Sequence, residues 1–482
     1  MKKILIIGGG ISGLATGIFA LKSGYEPLIL EKANKLGGCC GGYYRKGYYI
    51  DHCIHWLVGS NYGTHQNRYW RVLRALDKDS KIIKLDSIVS VEYNGVNYEL
   101  LRDYKKSWKT WLEQSPEDKK VINFFFTSVE KLLCLNTIDN QNVKAEKFNI
   151  FKRIPLILKT SNIDIVDFSK KFKNPGLRLA IQYAQNGFSN LFCLLFEYTF
   201  FIQDNADVPS GGSQKFADNI KTYYESIGGQ YKLNANVEEI NIENKKVKNV
   251  KTSNGDVYEA DYIVSCVPPE YLLHSLLNDK YEDKSFKKLS HKKGVRTSSA
   301  VIGCYAIDEK VMDKVASSFV FPTDEIGCTN IKDNAMCIRN YSYEKELYTK
   351  NGKTLVTVYI DQDQADYYKW KKLSIEEYKN KKIEINNNIV RILKNYFKLK
   401  DEQIIELDFI TPMSFEKRLN SSYGAFMCYH MTKHNKFFFH KTFKIKGIDN
   451  LYLSSQWVAS PGGLPMASSN GKRVMKKIIK EN

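Results

Sequence analysis

Lys3-Ile4-Leu5-Ile6-Ile7-Gly8-Gly9-Gly10-Ile11-Ser12-Gly13 opens the chain, followed by a helical pattern from Leu14 to Lys22, then Gly24, then an apolar run from Pro27 to Leu30 that ends in Glu31. The first β-branched run predicts a strand, the periodic stretch a helix closed by Gly24, and the second run another strand. The glycines stand at GxGxxG spacing, with Ile11 and Ser12 between them at the start of the helix. Gly8 suits the tight turn, Gly10 lets backbone approach a pyrophosphate, and Gly13 lets helix and strand pack closely. Glu31 follows Gly13 by 18 residues, where it can accept hydrogen bonds from an adenosine ribose and would repel a 2'-phosphate. Strand, glycine turn, helix, strand and carboxylate together predict a Rossmann-like α/β domain that binds a dinucleotide.

Working outward, 482 residues allow two or three domains, because single cores stop growing at roughly 250 to 300 residues. Lys and Arg outnumber Asp and Glu by 72 to 53, a formal charge of +19 that favours anionic partners. These cations are spread along the chain, including the runs at 287–293 and 379–382, without an Arg-rich or zinc-finger pattern, so nucleic acid is not an expected partner. Ten cysteines lie without a regular framework and without a CxxC pair, which suits a reducing cytoplasm. The apolar start after Met1-Lys2-Lys3 is interrupted by glycines and leads into a second strand, so it reads as mature structure. Leu191 to Ile202 is the longest nearly apolar run, about a dozen residues containing Glu197, short of the roughly 20 a membrane span needs. It reads as a buried core helix, as the wall of an apolar substrate tunnel, or as a membrane-dipping surface. Elsewhere, Asn94-Gly95 inside Ile82 to Leu100 predicts a hairpin, Trp108 to about Lys159 is mostly helical, and Ser374 to Phe397 is a long charged helix.

The stretch Gly37-Gly38-Cys39-Cys40-Gly41-Gly42, continuing to Asp51-His52-Cys53-Ile54-His55-Trp56, holds three cysteines, two histidines and an aspartate. Adjacent cysteines cannot easily point at one ion, and zinc pairs are spaced by two to four residues, so no metal is expected. Glu31-Lys32 leading to Leu36-Gly37-Gly38 resembles the FAD-binding flavoproteins of the amine oxidase and phytoene desaturase superfamily. Two further segments resemble the same family: Pro209 to Val264, with its Gly211-Gly212 turn and Ala260-Asp261, and Thr411-Pro412 to Ala467, with Leu451 to Gln456 and Pro461-Gly462-Gly463-Leu464-Pro465. The last is similar to the C-terminal signature of phytoene desaturases, carotenoid isomerases and retinol saturases.

That resemblance implies an FAD-binding domain of three chain segments, 1–80, 206–295 and 411–482, with an interleaved α+β substrate domain from 81–205 and 296–410. It implies FAD contacts at Gly8, Gly10, Ile11, Ser12, Gly13, Glu31, Lys32, Gly37, Gly38, Cys39 and His55, at the Val237 backbone beside adenine, and at Gln456, Gly462, Gly463, Leu464 and Pro465. Cys39 stands where the family often has Arg, Cys53 where it has Gly, and Ser455 where Gly is usual. The implied activity is hydride transfer at flavin N5, acting as desaturase, saturase or isomerase on an apolar polyene, isoprenoid or lipid. Candidates for a weak base or acid are His55, then Asp51 or His52; Trp56 and Trp457 read as pocket walls. Localisation is expected to be cytoplasmic, with peripheral association to an anionic membrane at its inner face. No second GxGxxG marks a nicotinamide site, which leaves the electron partner open. An amine oxidase or protoporphyrinogen oxidase-like enzyme, and a non-catalytic prenyl carrier of the same fold, are the alternatives.

Overall fold

Five parallel strands build the nucleotide-binding half: β1 (Lys3–Ile7), β2 (Glu26–Leu30), β3 (Gln230–Lys232), β4 (Tyr262–Ser265) and β5 (Leu451–Leu453), in the sheet order β3-β2-β1-β4-β5. The computed structural model describes residues 1–134, 143–185, 189–290, 295–323, 326–329, 335–436 and 438–481; parts of the helical stretch expected up to Lys159 and of the basic run at 287–293 lie outside them. Strands from three distant segments pair directly, Ile4 with Tyr262 and Pro27, and Ile263 with Leu451. The fold is therefore α/β and Rossmann-like, with its central strands apolar on both faces as a covered parallel sheet requires.

Helix α1 (Ile11–Leu21) covers this sheet together with α3 (Gly212–Ser226) and α4 (Gly463–Lys480), and the glycine loop of Gly8, Gly9 and Gly10 lies between β1 and α1. Helix α2 (Leu191–Ile202) belongs to the other half. Glycine sets how closely α1 and α4 approach: a Cβ on Gly471 would stand 2.7 Å from the Thr16 nitrogen. At the same contact the Thr16 and Ser454 hydroxyls are 2.9 Å apart.

The second half is a nine-stranded, mostly antiparallel sheet whose main path runs through strands 404–410, 297–308, 353–362, 335–340, 318–322, 87–93 and 96–101. Its hairpin turns at Asn94 and Gly95, both with positive φ (52° and 77°), as expected of Asn-Gly. One face carries Ile375–Phe397, which starts at a Ser374 capping box and buries Ile385, Ile389, Ile392 and Leu393. The other packs toward α2 and the helices Tyr104–Gln114, Lys119–Leu133 and Pro175–Tyr183, with Trp111, Phe125, Phe126 and Phe168 fully buried. The segment after residue 411 serves both halves, since Met427–Tyr429 pairs with the start of the 297–308 strand. Among the described residues, no helix is long and apolar enough to cross a membrane.

Candidate active site

The glycine turn is built by close approaches. The Gly8 nitrogen donates to the Leu30 carbonyl at 2.8 Å, Gly8 has φ of +102°, and a Cβ on Gly13 would lie 2.0 Å from the Gly8 oxygen. Gly13 is thus dictated by packing. Gly10 differs: a Cβ there would meet only the Gly38 Cα at 3.8 Å, so the surface above it is open. Gly37 donates to the Gly9 carbonyl at 2.9 Å, which lays the Gly37-Gly38 doublet against the turn. Ile11 and Ser12 begin α1, whose N-terminus has no side-chain cap. Uncapped N–H groups and the helix dipole are a ready anion site, and the open surface at Gly10 is what a pyrophosphate needs.

Glu31 is 9% exposed, and each carboxylate oxygen accepts a single backbone bond, Oε2 from Gly9 at 2.6 Å and Oε1 from Ala33 at 2.8 Å. Lone pairs remain on both oxygens for a ribose diol. The Ala235 nitrogen donates to the Glu31 carbonyl at 2.9 Å, which brings Val237 to the same edge. Lys32 turns away from this edge: its Nζ donates to the Asn420 side chain (2.5 Å) and the Lys417 carbonyl (2.8 Å), so only its backbone is left for the cofactor. From Glu31 a cleft of about 620 Å³ runs past Gly38 and Gly41 to His52 and Arg418 at the junction of the halves.

Gln456, expected at the ribityl chain, bridges two segments of the protein. Its amide donates to the Phe426 carbonyl at 2.9 Å and its oxygen accepts from Gly463 at 3.0 Å. Both polar ends are used to join the 426 segment to the first turn of α4. Gly462 and Gly463 have positive φ, and Leu464 and Pro465 follow in that turn, partly accessible. Trp457 is buried against Tyr429 with ring centroids 5.5 Å apart, a core contact more than a pocket wall.

Asp51 is 2% exposed and accepts from the Ser213 nitrogen (2.5 Å), the Ser213 hydroxyl (2.7 Å) and the Cys53 nitrogen (3.0 Å). It pins the start of α3 to the 51–53 loop and has no accessible surface to offer a reactant. Its oxygens, expected to serve as acid or base, are held by these donors.

His55, His52, Cys39 and Cys53 all lie deep in the protein yet keep some accessible surface. The Tyr359 hydroxyl donates to the His52 carbonyl at 2.9 Å and lies 2.9 Å from His55 Nε2. A phenol has one hydrogen, already given to the carbonyl, so His55 Nε2 must be the donor and its Nδ1 carries a bare lone pair. Burial, then Arg339, then His52 hold the imidazole well below its usual range, so it is neutral at pH 7. Burial, with Arg418 adding to it, likewise lowers His52 to about 3. Burial pushes the Cys39 thiol up to about 12, and the Cys40 and Cys53 sulfurs are 3.7 Å apart as free thiols. Among the described residues no three His, Cys, Asp or Glu side chains are grouped to hold a metal ion.

Two residues here escaped the sequence reading. Arg418 donates from Nη2 to the Gly41 carbonyl at 2.8 Å and the Gly38 carbonyl at 3.3 Å, so helix Pro412–Leu419 brings a guanidinium to the loop that has cysteine at position 39. Arg339 stands on the strand Ala335–Asn340 beside His55 and Tyr359. A lone charge in the apolar run Ala335-Met336-Cys337-Ile338-Arg339 was the available signal.

The glycine turn, the open carboxylate edge and the uncapped helix end fit FAD. Residues 11–479 match the family model described as flavin containing amine oxidoreductase. The chain is 26% identical to the 1-hydroxycarotenoid 3,4-desaturase of Flavobacterium sp. (strain P99-3), over 98% of both chains. It is 22% identical to the 4,4'-diaponeurosporene oxygenase of Staphylococcus aureus (strain MW2), over 99% of this chain and 98% of that one. Among solved structures, an oxidoreductase from Methanosarcina mazei superposes with a TM-score of 0.59 at 16% identity, covering 98% of this chain and all of that one, a likeness of fold. The chain therefore belongs to the flavin-containing amine oxidoreductase family and is an FAD-dependent oxidoreductase.

Proposed function

We propose that this oxidoreductase acts on a long apolar polyene, isoprenoid or lipid, in the manner of a carotenoid desaturase, saturase or isomerase. Bound FAD supplies the acceptor or donor of a hydride at N5. The observation that carries the reading is the accessible face of α2: Phe192, Phe196 and Glu197 keep accessible surface while Leu191, Leu194, Leu195 and Tyr198 are buried. Phe192 and Phe196 stack at 5.4 Å, and burial raises the Glu197 carboxyl to about 8, so the face presents rings and a neutral acid at pH 7. Such a wall suits hydrocarbon and disfavours a cationic amine. Full-length likeness to a 1-hydroxycarotenoid 3,4-desaturase supports the same class.

A C–C bond has no acidic proton, so loss of one hydrogen as hydride leaves the second to a weak base. His55 Nδ1, neutral and bare, is the residue proposed to take that proton. Reducing the holoenzyme without oxygen and then offering carotenoids, retinoids and extracted lipids tests the reading. One fraction should reoxidise the reduced enzyme or reduce the oxidised one; if none does either, the reading falls.

Such a substrate would be met at a membrane surface, and helix Val143–Ser161 is the proposed contact. It exposes Phe151 (70%), Ile154 (38%) and Leu158 (53%) beside exposed Lys152 and Lys159, while Leu156 and Ile157 pack inward on the helices that include α2. An apolar row flanked by cations is an interfacial element, and the +19 charge draws it to an anionic, cytoplasmic leaflet. Sedimentation with phosphatidylserine vesicles should fall several-fold for the Phe151→Ser/Leu158→Ser double variant; equal sedimentation would refute this contact.

A further inference from the structure

Arg339 is a partly buried cation with no counter-ion among the described residues. It is close enough to His55, Tyr343 and Tyr359 to shift all three, and each of those lies deep in the protein. Among the described residues its guanidinium makes no hydrogen bond and no ion pair, and the side chain retains accessible surface. Desolvating an unpaired charge costs several kcal/mol, so folds keep one where something else completes it.

Strand register shows what surrounds it. Arg339 pairs with Ser318 on one side and Thr357 on the other, so the three side chains share one face of the sheet. The Ser318 hydroxyl, in a residue 2% exposed, has no hydrogen-bond partner. The Thr357 hydroxyl is turned toward the Tyr341 phenol but closes no hydrogen bond. One position along the same face, Tyr359 carries the bond to His55. Two carboxylates stand nearby: Asp51, behind Tyr341, whose hydroxyl donates to the Asp51 backbone oxygen at 2.6 Å, has its own oxygens taken by Ser213 and Cys53, and Glu344, which acts on Tyr343, accepts from the Ser210 hydroxyl and the Gly211 nitrogen. His52 and His55 are both neutral at pH 7. Beside His55, Arg339 therefore places one fixed positive charge with which no carboxylate pairs among the described residues, next to an open hydroxyl and aromatic rings.

We propose that Arg339, with Ser318, binds the carboxylate of an acidic substrate, so that the enzyme takes a long-chain polyene or lipid acid and holds its head group on the substrate-domain sheet next to His55. The proposal rests on the polyene reading for the chain and adds the head group. A guanidinium suits this task because its planar donors match a carboxylate's two oxygens.

The test uses three ligands of one skeleton, retinoic acid, retinol and the hydrocarbon axerophtene, with benzoate as a short acid. Each is titrated into FAD-loaded enzyme at pH 7.5, with binding read from the flavin visible spectrum. Wild type should bind retinoic acid at least tenfold more tightly than retinol. Arg339→Met should erase that preference while FAD affinity and Tm hold, and Arg339→Lys should restore part of it. Equal binding of acid, alcohol and hydrocarbon would overturn the head-group assignment and leave the polyene reading standing. Arg339-dependent binding of benzoate with no binding of the retinoids would do the reverse. A shift in FAD affinity or reduction potential in Arg339→Met, with the head-group preference intact, would overturn the proposal by assigning the cation to the flavin. Absence of binding by all four would sink both.

Discussion

Glu197→Gln should remove a pH-dependent component of stability that the buried carboxyl imposes. Burial raises this acid from 4.5 to about 8, with a hydrogen bond from Gln185 pulling weakly the other way. Between those values the folded protein keeps a proton that the unfolded chain has lost, so unfolding releases it and stability falls as pH rises. The slope is about 1.4 kcal/mol per unit, which over this interval amounts to about 3–5 kcal/mol. Below pH 4.5 the group costs nothing, and above pH 8 the loss is complete. Gln keeps the shape and cannot ionise. Urea midpoints of FAD-loaded wild type and variant, taken in steps from pH 5 to pH 9, isolate this group because all other titrations are shared. The variant should gain on wild type steadily up to about pH 8 and then run parallel. A difference that stays constant with pH would show that Glu197 is solvated, and the neutral apolar wall inferred for α2 would fail with it.

Asp51→Ala should cost stability before it costs chemistry, since it leaves the Ser213 nitrogen, the Ser213 hydroxyl and the Cys53 nitrogen without an acceptor. At about 1–3 kcal/mol for each buried donor, thermal unfolding should show a fall of at least about 3 kcal/mol; an unchanged Tm with lost turnover would restore Asp51 as a catalytic group. Gly13→Ala drives a carbon to 2.0 Å from the Gly8 oxygen, so α1 must retreat and FAD retention on gel filtration should drop at least tenfold. Full flavin occupancy would refute the packing role. With its thiol raised to about 12, Cys39 should react with a disulfide reagent at pH 8 at least 100-fold more slowly than a free thiol, as read by mass spectrometry. Rapid labelling would place it at a solvated surface instead.

The nucleotide-binding half was legible because local chemistry and tertiary demand coincide there. Gly8, Gly13 and Glu31 are each required by contacts within about 25 residues of chain. The long helix was legible at Ser374 for a similar reason, a cap and an apolar stripe within one element. The side chains of Lys32 and Gln456 are taken by Asn420, Lys417, Phe426 and Gly463, partners that no periodicity reveals.

By itself the sequence determined the βαβ start and its dinucleotide site, because glycine spacing and strand hydrophobicity are local constraints, while the three returning segments and FAD were implied by the family resemblance. Tertiary structure decided how the site is charged. Arg418 reaches Gly41 across 377 residues, and Arg339 comes to face His55 through strand register. The Asp51 carboxyl became a brace because α3 arrived at it, and the His55 tautomer was set by a tyrosine 304 positions away. Such pairings depend on which surfaces the two halves bury against each other, and no stretch of the chain encodes that alone.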